Sequence, residues 1–147
     1  MKIYIVYFRT MQDSPEVRIV AVTTSMQKAN AIFEDAKRQE EEWMADEGPD
    51  SGNWAEACME TFDGLRDIEP GTELYVAIMT SWCEVVETKL NLCGTRESAE
   101  MWIDLQRRCV LTEDPDLTPF DEDDDMHLHN ESVMSDYYFS IEKVTLE

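Results

Sequence analysis

The chain has 147 residues, 43% of them hydrophobic and 10% aromatic, with 33 acidic against 12 basic side chains and a formal net charge of −21. That composition supports a buried core and excludes wholesale disorder, and no apolar run reaches the length of a membrane-spanning helix. A surface this anionic repels nucleic acid, anionic lipid and acidic substrates, which leaves basic surfaces and cations as its natural partners.

Lys2 to Phe8 (KIYIVYF) is apolar on both alternating faces, as a central strand is. It has no small-residue cleavage site and reads as a strand rather than a signal peptide. Asp13-Ser14-Pro15 marks a turn, and the β-branched run Val17 to Thr23 completes a hairpin. Thr24 or Ser25 then caps a helix, Thr24 forming a capping box with Gln27. Its apolar positions 29, 32, 33, 36, 43 and 44 keep one helical stripe, and Gly48-Pro49 ends it. Asn53 is expected to cap a second helix, because Trp54, Ala55, Cys58, Met59, Phe62 and Leu65 fall on one helical face.

After the breaker Pro70-Gly71, the pattern starts again. Glu73 to Thr80 is a strand that pairs with Lys2 to Phe8 at an offset of 71. Val85 to Cys93 is its partner strand, and Thr95 caps a helix carrying Ala99, Trp102, Ile103 and Val110. Ala99, Trp102 and Ile103 stand seventy positions after Ala29, Ile32 and Phe33. Residues 113–130 have no periodicity and form an acidic loop, and Tyr137 to Leu146 closes the chain as a strand. The expected fold is α+β: a tandem ββα(β) repeat in one mostly antiparallel sheet of about five strands, with three helices on one face. Residues 1–72 and 73–147 are the two copies, fused into one globular domain.

The acid is not spread evenly. Residues 34–73 hold 14 acidic and 3 basic side chains, and residues 113–147 hold 12 and 1. The two remaining blocks, 1–33 and 74–112, are close to neutral. A net charge of roughly 2–8 in magnitude suffices for solubility, so this excess calls for a further reason.

Conventional chemical sites are hard to find. Asp121, Asp123 and Asp125 alternate as in a calcium loop, but Met126 stands where the turn needs Gly. His127 and His129 form H-x-H, which in a strand would place both imidazoles on one side near Asp125 or Glu131, and they support a third reading as a metal-dependent enzyme. There is no G-x-S-x-G and no glycine-rich phosphate loop. Cys58, Cys83, Cys93 and Cys109 contain no C-x-x-C and read as reduced thiols of a cytoplasmic protein. No cofactor is expected.

The leading expectation is therefore a non-enzymatic binding protein that mimics nucleic acid and inhibits a basic, nucleic-acid-binding enzyme. Glu40, Glu41, Glu42, Asp46, Glu47, Asp50, Asp114, Asp116, Asp121, Glu122, Asp123, Asp124 and Asp125 are its expected contacts. Trp82, in a short hairpin turn, is expected to be exposed and to touch the partner. In size and charge the chain resembles the small acidic proteins that bacteriophages make against restriction, CRISPR or repair enzymes, a likeness of type that rests on no motif. The alternative is an interaction module, including a homodimer through sheet edges, whose acid serves solubility only.

Overall fold

A strand apolar on both faces must be covered on both faces and paired on both edges. In the computed structural model, which describes residues 2–12, 14–48, 51–63, 68–82, 86–113 and 137–147, β1 (Lys2–Met11) is the middle strand of a three-stranded antiparallel sheet. Its neighbours are β2 (Pro15–Thr23) and β3 (Trp54–Asp63). Val20 is an extra residue between the pairs Val6↔Ala21 and Tyr7↔Ile19. Such a bulge leaves Val20 outside the ladder, and its side chain is exposed. Helix α1 (Met26–Glu47) lies on the face made by Tyr4, Val6, Phe8, Ala55 and Ala57, and buries Ala29 and Ala36 against them. Each large apolar side chain buried there contributes about 1.5–3 kcal/mol.

The second half of the chain repeats this order. β4 (Glu73–Trp82) is the middle strand between β5 (Val86–Cys93) and β6 (Tyr137–Thr145), and α2 (Arg96–Glu113) lies between β5 and β6 in sequence. Both sheets thus run second strand, first strand, third strand, and each half is ββαβ. The alignment is close: β1 and β4 are both ten residues long and begin at Lys2 and Glu73. α1 and α2 begin at Met26 and Arg96, and Ala29 and Ala99 are each fully buried one turn in. The cluster beneath α2 is Ala77, Cys93, Ala99 and Ile103, with Tyr75, Trp102, Phe139 and Ile141 at its margin.

Two expectations fail. There are two three-stranded sheets, not one sheet of five, and residues 54–63 are a strand, not a helix. Ala, Glu, Met and Cys have no local preference for a strand, and their spacing also fits a helical stripe. What decides is β1, whose second edge requires a partner: ten consecutive pairs, from Lys2↔Asp63 to Met11↔Trp54, supply it. The small residues Ala55 and Ala57 are the positions beneath α1, where a larger side chain would hold the helix away. Glu73 to Thr80 accordingly opens the second sheet and does not serve the first. The described residues contain six strands and two helices, against the five and three expected.

The caps follow the sequence more closely. Ser25, not Thr24, is the N-cap of α1, its hydroxyl accepting from the Lys28 amide at 3.2 Å, so the Thr24–Gln27 capping box does not form. Gly48 ends α1 with φ 80°, a conformation that glycine adopts without the Cβ penalty. Thr95 caps α2 as expected, accepting from the Ser98 amide at 3.1 Å.

The chain divides into two compact units, Met1–Leu74 with Lys143–Glu147, and Tyr75–Glu142. Within the first, the C-terminal residues are tied down by backbone bonds: Gly71 N donates to Leu146 O, Leu146 N to Thr72 O and Glu147 N to Val22 O, all at 2.8–2.9 Å. Leu146 is buried there. Among the described residues no helix is long and apolar enough to cross a membrane.

Candidate protein-interaction surface

The second half of α1, from Gln39 to Glu47, carries Glu40, Glu41, Glu42, Asp46 and Glu47 and no basic residue. Helical geometry sorts these carboxylates into two groups. Glu40, Met44 and Glu47, spaced i, i+4, i+7, share the side that overhangs β3. Glu40 Oε1 accepts the Ala57 amide at 3.1 Å, and Met44 Sδ accepts the Ala55 amide at 3.3 Å. Glu47 accepts from Asn53 Nδ2 through one oxygen and from Gln12 Nε2 through the other, both at 3.0 Å. Glu40 and Met44 thus block the outer edge of β3, whose amides would otherwise be open to another strand, while Glu47 holds the residues that flank the strands. Glu40 and Glu47 are therefore committed within the fold.

Glu41, Glu42 and Asp46 point outward. All three are exposed and have no ion pair with any described residue. Nearer the middle of the helix, Asp35 is held by Arg38 and by Gln39 Nε2 at 3.0 Å. The last turn of α1 contains no basic residue, so its carboxylates stand at the negative end of the helix dipole. Each such placement costs roughly 0.3–1 kcal/mol at low ionic strength. Folding does not require this arrangement.

Beside this acidic half-helix lies a groove of about 260 Å³ between α1 and the β1–β2 hairpin. Phe8 and Trp43 are its apolar walls, and Thr10, Glu16, Arg18 and Gln39 supply the polar ones. Glu42 and Asp46 follow Gln39 and Trp43 by three positions and so flank its rim. The groove joins a strand hairpin to a helix 20 residues downstream, and no local pattern in the chain signals it.

The other face of the first sheet holds a cross-strand polar cluster. Arg9 Nη2 bonds Glu56 Oε2 at 2.9 Å, and its guanidinium lies 5.3 Å from the Trp54 ring centre. The Tyr7 hydroxyl donates to Glu60 Oε1 at 2.9 Å, and the Cys58 thiol to Glu56 Oε1 at 3.5 Å. Burial, and then the bond to Glu60, raise the Tyr7 pKa above its ordinary value. Burial, and then the Glu56 charge, push the Cys58 thiol up to about 11. Burial also raises Cys93. Such thiols stay protonated at neutral pH, the opposite of an activated nucleophile.

Asp50, Asp114, Asp116, Asp121, Glu122, Asp123, Asp124, Asp125, His127 and His129 lie outside the described residues, as does the side chain of Trp82. Trp82 is the last residue of β4, paired with Val86. Among the described residues no three His, Cys, Asp or Glu side chains cluster to hold a metal ion. A scan against protein-family models and searches of curated proteins and of solved structures found no match.

Proposed function

We propose that this is a non-enzymatic binding protein whose carboxylates take the place of phosphates on the basic surface of a nucleic-acid-binding partner and so inhibit it. The observation that carries this reading is the trio Glu41, Glu42 and Asp46, exposed, with no ion pair among the described residues, on the acidic second half of α1, where the helix dipole opposes Asp46 in the last turn. Acid kept where it costs stability is accounted for by something that acid does.

The charge density is of the right order. At 1.5 Å rise per residue, the nine residues Gln39 to Glu47 span about 13.5 Å. Their three outward carboxylates give about one charge per 4.5 Å, against roughly one per 3.4 Å along a single DNA strand. The neighbouring groove suits a basic side chain from the partner: Phe8 and Trp43 would line its aliphatic stem and Glu16 would meet its charge. At about 260 Å³ it is smaller than the usual 300–1,000 Å³ of small-molecule sites. The acidic residues Asp114 to Asp125 add to the negative charge of the chain, and restriction, CRISPR and repair enzymes are partners of suitable charge.

The test is capture of nucleic-acid enzymes from a lysate at low and high salt, with the native chain and a Glu41→Gln/Glu42→Gln/Asp46→Asn variant. Steep loss of the captured enzyme with salt, competition by nucleic acid and loss in the variant are expected. Retention that is indifferent to both salt and charge neutralisation overturns the proposal.

A further inference from the structure

Two arginines of this chain are held against aromatic rings in the same way and differ in one partner. The Arg9 guanidinium lies 5.3 Å from the Trp54 ring centre, and the Arg107 guanidinium lies 5.0 Å from that of Phe139. Arg9 is completed by Glu56, whose carboxylate takes its Nη2 at 2.9 Å. Arg107 has no such carboxylate. Its Nε is buried and meets no acceptor, and it forms no ion pair with any described residue. A buried donor on a charged group costs stability while it goes unmet. In a chain with 33 acidic and 12 basic side chains, a shortage of acid does not explain it.

Arg107 lines a groove of about 260 Å³ along the seam between α2 and β6. Arg96, Glu100 and Ile103 continue its helix side, and Phe139 and Ile141 stand on its strand side. The first half of the chain closes the corresponding seam with its own acid, since Glu40 reaches from α1 to the Ala57 amide of β3 at 3.1 Å. Seventy positions on, α2 has Val110, which offers no acceptor. Within the groove Arg96 is answered by Glu100 at 3.3 Å, so Arg107 leaves one positive charge in excess.

From this we infer that the groove between α2 and β6 binds a small monocarboxylic acid, whose carboxylate takes the place at Arg107 that Glu56 takes at Arg9. The flat fork of guanidinium donors meets both oxygens of a carboxylate, and the Phe139 ring beneath it holds the fork in place. Ile103, Phe139 and Ile141 make the rest of the wall apolar, which suits a hydrocarbon body. At about 260 Å³ the groove is below the roughly 300–1,000 Å³ of drug-sized sites and fits a short acid. The field of the whole chain selects the ligand's charge. At −21, the protein repels every negative charge that a ligand brings. A small monoanion therefore enters at less cost than a phosphate dianion, and an acidic protein at more than either.

The inference does not depend on the proposed function. That reading places a basic protein on α1, whereas this groove belongs to the second half of the chain and takes an anion.

The experiment is a titration of the intact, isotope-labelled chain with benzoate, followed by NMR at the Arg107 Nε–H and at the amides of Ile103, Phe139 and Ile141. Saturable shifts at these groups are expected, with none from benzamide, the neutral analogue, and weaker ones from inorganic phosphate. Arg107→Lys keeps the charge but loses the fork, and should weaken benzoate binding by roughly tenfold, equivalent to about 1.4 kcal/mol. Arg107→Gln should abolish the amide shifts. Glu100→Gln should tighten binding, because it removes the groove's own carboxylate, which a merely structural role for Arg107 would not produce. Circular dichroism establishes that each variant is folded. An Arg107 Nε–H indifferent to benzoate, an equal response to benzamide or phosphate, or amide shifts that persist in Arg107→Gln overturns the inference.

Discussion

The carboxylate of Glu40 accepts the backbone amide of Ala57 at 3.1 Å, tying the middle of α1 to the outer edge of β3. An acidic residue within a run of acid, Glu40-Glu41-Glu42, is here an edge cap and not a surface charge. Glu40→Ala should cost about 1–2 kcal/mol, because a charge-assisted bond is lost and an edge amide is opened. Glu40→Gln, whose amide oxygen still accepts, should cost less. Urea unfolding of the two variants beside Glu41→Ala measures this, the last being expected within about 0.5 kcal/mol of the parent.

The outward carboxylates should behave differently. Neutralising Asp46, in the last turn, relieves its conflict with the helix dipole and should raise stability by up to roughly 0.3–1 kcal/mol at low salt, while neutralising Glu41 or Glu42, before that turn, should change stability by no more than about 0.5 kcal/mol. The same changes should reduce binding to a basic partner. Unfolding curves and partner titrations on one set of variants would show the two effects moving in opposite directions at Asp46, as when function is maintained at the expense of stability.

Alkali should unfold the protein partly through the polar cluster on the face of the first sheet opposite α1. The Cys58 thiol is raised from 9.0 to about 11, and Tyr7 is raised above its ordinary 10.0. In both cases folding favours the protonated form, so the unfolded chain loses its proton first as pH rises. The stabilisation is complete below pH 9, declines from there to about 11 for Cys58, and goes on declining above pH 10 for Tyr7. Cys58→Ala should flatten the first part of the decline, as followed by thermal melts across the alkaline range.

The thiols should also differ in reactivity. Only the thiolate is nucleophilic, and Cys58 and Cys93 hold their protons at neutral pH. Cys109, exposed on α2, should be labelled by a maleimide well before either. Peptide mapping after brief labelling checks the order.

Ala29 and Ala99 should respond alike to enlargement. Each is fully buried at the same point of its helix, over the first strand of its half. Ala29→Val and Ala99→Val should each cost about 1–3 kcal/mol by overpacking. The neighbouring exposed Asn30→Ala and Glu100→Ala should be close to neutral in the same melts.

Much of this architecture can be read from the chain because it rests on short-range signals. A strand apolar on both faces, a hairpin marked by Ser14-Pro15, helices opened by Ser25 and Thr95 and closed by Gly48 are all written within a few residues. The repeat strengthens these signals, since the pattern of Lys2 to Phe8 and of Ala29 to Phe33 returns about seventy positions later. The same holds for the uneven distribution of acid.

What the tertiary structure decided is whatever depends on a distant partner. Residues 54–63 carry a helical spacing and helix-forming residue types, yet become β3, because the unpaired edge of β1 offers ten backbone pairs that a separate helix would forgo. With that strand in place, each half has three strands of its own, and one sheet becomes two. The same packing sorts the acid: Glu40 turns onto the edge of β3, Glu47 onto Gln12 and Asn53, and Glu41, Glu42 and Asp46 remain in solvent. Composition determines that the chain is anionic, but only the position of α1 over β3 determines which carboxylates of the helix stay exposed.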